Sequence, residues 1–276
     1  VLGPDHENTL TSRHNHAHCT EKVGDPATAR DLYATLIADR TRVLGPDDKD
    51  TLTSRHNHAR CTEKAGDPAT ARDLYTEVIA DSIGVLGPDH EFTLTSRHNH
   101  AYCTEEAGDP ATARDLYTTL ITDRTRVLGP DDKDTLTSRH NHAHCTGKAG
   151  DPATARDLYT EIIADSIRIL GPDHENTLTS RHNHAHYTEK AGDPATARDL
   201  YTTLITDRTR VLGPDDKDTL TSRHNHAYCT GKAGDPATAR DLYATLIADR
   251  TRVLGPDHEN TLTSRHNHAR YTGKAG

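Results

Sequence analysis

Residues 1–42 read VLGPDHENTLTSRHNHAHCTEKVGDPATARDLYATLIADRTR, and residues 43–84 read VLGPDDKDTLTSRHNHARCTEKAGDPATARDLYTEVIADSIG. The second stretch nearly superimposes on the first. The pattern continues through 85–126, 127–168, 169–210 and 211–252 to a partial copy at 253–276. Self-similarity at a fixed period of this size marks a repeat architecture, in which each unit buries its apolar face on its neighbours. Residues 1–276 are therefore expected to form a single solenoid and not a pair of globular domains.

Punctuation inside the first copy sets its elements. Gly24-Asp25-Pro26 divides it, and Gly45-Pro46-Asp47 marks the boundary with the next. Glycine suits the left-handed position after a helix, Asp25 can accept from orphan amides, and Pro26 fits a first turn because it has no N–H to leave unpaired. The spacing predicts two helices per copy, from about Glu7 to Val23 and from about Pro26 to Leu44. Along the chain that makes seven first helices alternating with six second helices, an all-α fold. In the second helix Ala29, Leu32, Tyr33, Leu36, Ile37, Val43 and Leu44 follow 3.6-residue spacing and read as core. The first helix offers Leu10 and Ala17 among mostly polar neighbours, so its packing is expected to be thin.

Composition agrees with a stacked array. Only 32% of residues are apolar, with ten Tyr, one Phe and neither Trp nor Met, too little for one large core. The net charge of −9 is mild, and basic residues alternate with acidic ones, so no nucleic-acid groove is expected. No apolar run approaches the roughly 20 residues of a spanning helix and no signal peptide is visible, so no membrane partner is expected either. Cys19, Cys61, Cys103, Cys145 and Cys229 share one position of the repeat. Stacked neighbours would stand about 9–10 Å apart, beyond disulfide reach, so free thiols and a cytoplasmic setting are expected. Val1 at the start and Gly276 midway through a repeat read as a segment of a longer protein.

These residues carry a resemblance. The pattern VLGPDHxxTLTSRxNxA…AGDxxxAxxLY resembles the 42-residue variety of the tetratricopeptide repeat, similar to kinesin light chains and to arrays of bacterial and fungal signalling proteins. Ala17, Gly24, Ala29 and Tyr33 match the family's signature positions; Arg13, His16 and Thr20 stand where Trp, Leu and Tyr are usual, and do so in every copy. The resemblance implies a right-handed α-solenoid whose first helices line a concave surface. It also implies ligand contacts from the positions of Thr11, His14, Asn15, His18, Glu21 and Lys22, and a place in a larger chain such as a nucleotide-binding signalling protein.

The copies differ at two of those positions. Residue 18 runs His18, Arg60, Tyr102, His144, His186, Tyr228, Arg270, and residue 21 runs Glu21, Glu63, Glu105, Gly147, Glu189, Gly231, Gly273. They lie i and i+3 on one helical face, where His, Arg and Tyr suit recognition of a protein or peptide ligand. The candidate ligand face thus takes in His14, His18, Glu21, His56, Arg60, Glu63, His98, Tyr102, Glu105, His140, His144, His182, His186, Tyr228 and Arg270. Free drift of exposed positions is the competing reading. Variation in HEN, DKD and HEF at the start of the first helix, and between Arg and Ser at Arg40, Ser82, Arg124 and Ser166, reads as drift of exposed sites or alternating duplication.

Three further readings concern chemistry. His14 with His18, His140 with His144 and His182 with His186 have i, i+4 spacing that suits a metal ion, but no carboxylate or thiolate completes a fixed set, so no cofactor is expected. His16 and its equivalents His58, His100, His142, His184, His226 and His268 occupy a normally apolar site. There a neutral ring can hydrogen-bond to Asn or Thr or, if buried, act as a pH-dependent ladder. Finally, Ser, His and Asp recur every 42 residues, whereas an active site needs one constellation, so no enzymatic activity is expected. The sequence reads as a protein-binding scaffold or sensor; the alternatives are an array that self-associates end to end, and a metal- or pH-responsive solenoid.

Overall fold

A computed structural model describes residues 2–275. Among them every regular element is a helix: α1 (Glu7–Lys22), α2 (Pro26–Leu44), α3 (Lys49–Lys64), α4 (Pro68–Leu86), α5 (Glu91–Glu106), α6 (Pro110–Leu128), α7 (Lys133–Lys148), α8 (Pro152–Leu170), α9 (Glu175–Lys190), α10 (Pro194–Leu212), α11 (Lys217–Lys232), α12 (Pro236–Leu254) and α13 (Glu259–Ala275). The chain forms two compact units, residues 1–145 and 146–276. In the first, α1 to α6 pack each on the next, and in the second α8 to α13 do the same. The fold is all-α, built of consecutive helix pairs, and no described helix is long and apolar enough to cross a membrane.

The helix ends form where the punctuation places them. Asp25 Oδ1 accepts from the Thr28 N–H at 3.0 Å at the start of α2, and Asp67, Asp109, Asp151, Asp193 and Asp235 repeat that cap. Gly24, at φ 92°, turns the chain between α1 and α2 in the left-handed region that other residues avoid. First helices are capped by either of two side chains: His6 Nδ1 accepts from Asn8 N–H (3.1 Å) and Asp48 Oδ1 from Asp50 N–H (2.8 Å). The HEN and DKD variants therefore both satisfy the same orphan amide.

The core is a short apolar stripe repeated. Leu10, Ala17, Ala29, Tyr33 and Leu36 form one cluster, joined by Cys61 of the next copy, and equivalent clusters recur along both units. Val43 and Leu44, expected in this stripe, are 38% exposed, and Arg40 takes the fourth buried place. The reason is length: α2 has 19 residues and α1 has 16, so the last turn of α2 overruns its partner.

Arg40 corrects the expectation that the Arg/Ser variation marks exposed drift. Arg40 and Arg124 are only 3–4% exposed and Ser82 not at all. Arg40 Nη1 donates to the Asp50 carbonyl (2.7 Å) and to Ser54 Oγ (2.8 Å), tying α2 to α3. In the copy that has Ser82, the following helix carries Phe92, whose ring centroid lies 5.2 Å from that of His56. The first helices are also less thinly packed than expected. Ser54 and Thr62 are buried, and each donates to a carbonyl one turn back, at Asp50 and His58, so these two hydroxyls fill the interface with their polarity met, whereas the buried Thr51 hydroxyl has no partner.

Three outcomes are expected. Arg124→Ala removes buried bonds to the Asp134 carbonyl (2.8 Å) and Ser138 Oγ (2.7 Å) and should lower stability by about 1–3 kcal/mol in urea unfolding. Arg126→Ala, which loses exposed pairs with Asp89 and Asp123, should cost clearly less in the same measurement. Thiol titration of the native chain should find only the exposed Cys19 reactive. Burial pushes the Cys61 thiol up to about 11 and those of Cys103 and Cys229 to about 12, and these should react on unfolding.

Candidate functional site

The first helices present three rows of side chains, and each row has different surroundings. The innermost is residue 14 of each copy. His14 meets the edge of Tyr33 with centroids 5.4 Å apart, and His56, His98, His182 and His224 meet their own tyrosines at 5.2–5.4 Å. The asparagine of the next copy reaches back to both rings. Asn99 Nδ2 donates to Tyr75 Oη (3.2 Å) and approaches His56 Nε2 (3.4 Å); Asn141 and Asn225 do the same to Tyr117 with His98 and to Tyr201 with His182. Nδ1 faces Ser96 Oγ at 2.9 Å in His56, but an arginine at 3.2–3.4 Å in His14, His98, His182 and His224. These histidines line the junctions between copies.

Burial shapes their protonation. It pushes His56, His98, His140 and His224 down to about 4 and His182 to about 3, with Arg124 adding to the effect at His98 and Arg208 at His182. The strongest downward shifts therefore fall on residue 14 and not on residue 16, the position read as a possible pH-dependent ladder. The residue 16 row is also shifted down by burial at His58, His100, His142, His184 and His226, but it lies nearer solvent. There His100 and His226 Nε2 meet Thr76 and Thr202 Oγ1 at 3.1 Å, on the side of the second helices.

The third row is residues 18, 21 and 22, and its junctions differ. Glu21 is buried and clasped by Arg60 Nη2 (2.6 Å) and Lys64 Nζ (2.9 Å), with His18 Nδ1 at 3.9 Å. Burial alone would raise its pKa, but the bonds from Lys64 and Arg60 prevail and hold it below the ordinary carboxylate range. Glu105 is likewise buried, accepting from Cys145 Sγ (3.2 Å) with His144 Nε2 at 3.2 Å. Opposite Glu63 stands Tyr102, 38% exposed, with Glu106 where other copies carry Lys. Burial, then the Glu106 and Glu21 charges against a pull from Lys64, raises the Glu63 pKa.

In the second unit, Glu189 lies 3.8 Å from Lys232, whose ammonium sits 5.6 Å from the Tyr228 ring. A cavity of about 220 Å³ opens here, lined among others by His186, Glu189, His224, Asn225 and Tyr228. Arg270 is exposed on α13. Thus the face unites His186 with Tyr228, and Arg60 and His144 with the glutamates of preceding copies, while His56, His98, His140, His182 and His224 lie mostly beneath it. No group of three or more His, Cys, Asp or Glu able to hold a metal occurs among the described residues, the His14, His18, His140, His144, His182 and His186 pairs included.

The inner histidines carry a pH prediction. Their folded pKa lies below the unfolded value of about 6.5, so the unfolded chain takes up protons first as pH falls. Stability is full above about pH 6.5 and declines down to about pH 4, by about 2 kcal/mol per deeply shifted ring at pH 5. The melting temperature should fall clearly between pH 7.5 and pH 5, and His56→Phe with His98→Phe should flatten that slope.

A family model described as tetratricopeptide repeat matches residues 9–83 and 134–210, and a second of the same description matches 219–260. A search of curated proteins returns no significant match. Among solved structures, the chain is similar to a Podosopora anserina protein of kinesin-light-chain type with nearly identical TPR-like repeats, with TM-score 0.65 and 23% identity over 74% of this chain and 96% of that one. It is also similar to the Pyrococcus horikoshii signal transduction ATPase with a tetratricopeptide repeat sensor (TM-score 0.76, 8% identity, 98% and 40%). A Rap protein complexed with Competence and Sporulation Factor is a third (TM-score 0.56, 12% identity, 96% and 75%). The family match spans more than half of the sequence, and the chain belongs to the tetratricopeptide repeat family.

Proposed function

We propose that this chain is a scaffold or sensor module that binds a segment of a partner protein on the face formed by residues 18, 21 and 22 of its first helices. The observation that carries this reading is the cavity of about 220 Å³ between α9, α11 and α13. It combines an aromatic wall at Tyr228, imidazoles at His186 and His224, an amide at Asn225 and a carboxylate at Glu189. Binding pockets pair a preformed concavity with a few polar groups in this way, and Tyr is among the residues that contribute most to protein recognition. The sites that vary between copies, residues 18 and 21, line or flank this surface, while the fold beneath them repeats. The sensor role of the tetratricopeptide repeats in the Pyrococcus protein and the complex formed by the Rap protein support the same reading.

A random-peptide display library panned on the full chain tests it. Selected peptides should lose roughly tenfold or more in affinity on Tyr228→Ala and on Glu189→Ala, and nothing on Thr245→Ala, which lies in a separate groove. Selection of no peptide, or of peptides indifferent to the first two changes, overturns the assignment.

A further inference from the structure

The residue 21 series gains meaning when paired with the residue forty positions later. Four pairs are Glu and Cys: Glu21 with Cys61, Glu63 with Cys103, Glu105 with Cys145, and Glu189 with Cys229. The other two are Gly and Tyr: Gly147 with Tyr187, and Gly231 with Tyr271. No pair mixes the two types.

The geometry explains the exclusion. A Cβ added to Gly147 would lie 2.0 Å from Tyr187 Cε1, and one on Gly231 would lie 2.1 Å from Tyr271 Cε1. Neither glycine has a positive φ, and both sit inside helices, where glycine is disfavoured by about 1 kcal/mol against alanine. They are there for room. Tyr187 is 3% exposed and stacks on Tyr159 (5.8 Å, 11°); Tyr271 is 1% exposed, stacks on Tyr243 (5.9 Å, 12°) and donates to the Tyr228 carbonyl (3.2 Å). At the Glu105 junction the place is filled differently, by a buried carboxylate accepting from the Cys145 thiol. Glu above Tyr would put side chain into ring. Gly above Cys would leave a void about the size of a phenol, and voids in packed interfaces are costly.

We propose that these two positions form a stacking key: Glu accepts Cys and Gly accepts Tyr in the next copy, and the key decides which copies can be neighbours. It also sets what a junction offers at the ligand face, a carboxylate at Glu–Cys junctions and a buried ring at Gly–Tyr junctions. This goes beyond peptide binding, because it makes part of the residue 21 variation a matter of assembly.

Thermal unfolding of the full chain tests the key. Gly147→Glu and Tyr187→Cys should each lower the melting temperature by several degrees, while the double variant should return to within about 2 °C of the parent, with His186 and Lys190 at the positions from which Arg60 and Lys64 serve Glu21. Losses that simply add overturn the proposal. Should Gly147→Glu fail to fold, the reciprocal transplant decides: Cys145→Tyr should be destabilising alone and tolerated with Glu105→Gly, whereas equal losses in the single and double variants overturn the key.

Discussion

One buried phenol per copy holds the structure together. Tyr33, Tyr75, Tyr117, Tyr159, Tyr201 and Tyr243 are at most 1% exposed, yet each carries a hydroxyl that must be bonded once water is gone. In five copies an asparagine of the following first helix donates to that hydroxyl, from Asn57 to Tyr33 (3.4 Å) through Asn225 to Tyr201 (3.2 Å). The ring packs inside one copy and the hydroxyl is satisfied by the next. A single side chain thereby couples the fold of a unit to its stacking, which is what a solenoid without a central core requires.

That coupling accounts for the polar character of the first helices. Arg40 reaches from α2 to a carbonyl and a hydroxyl of α3, and His14 and His56 sit edge-on to the tyrosines with their ring nitrogens turned to neighbours. A junction built this way needs little apolar area but every group in its proper charge state. A neutral histidine has one donor and one acceptor nitrogen, and adding a proton beside Arg124 or Arg208 sets two cations against each other in a largely desolvated junction. The interface is therefore specific in geometry and conditional on pH for the same reason.

The fold was legible because glycine, proline and aspartate mark helix ends by local chemistry, and α1 and α2 end within one residue of where that punctuation puts them. Burial was legible where it followed the stripe of Ala29, Tyr33 and Leu36. It was not legible at Arg40, because periodicity registers hydrophobicity and a buried guanidinium depends on acceptors ten and fourteen residues away. The same limit applies to the candidate site. Residues 18 and 21 were found from variation among copies, but Glu21 and Glu105 proved to be held by the following copy, and residue 14 rather than residue 16 has the most strongly shifted rings. The Gly147 and Tyr187 pairing was present in the sequence as a correlated change; only the distance between ring and helix gives it a cause.

Near-identical copies pose a problem that their hydrogen bonds cannot solve. The Tyr–Asn bond recurs in five copies, so it would form equally well between copies in the wrong order. Ordering requires contacts that differ, and they must penalise the wrong neighbour as well as favour the right one. Opposite-charge surface pairs such as Arg42 with Asp5 and Arg126 with Asp89 recur along the chain and discriminate weakly in water. A steric exclusion between a helix backbone and an aromatic ring is neither repeated everywhere nor screened by salt. Among the differences between copies, the Gly–Tyr junctions are therefore the ones placed to set order, while Tyr102 stands 38% exposed and Tyr228 lines the cavity.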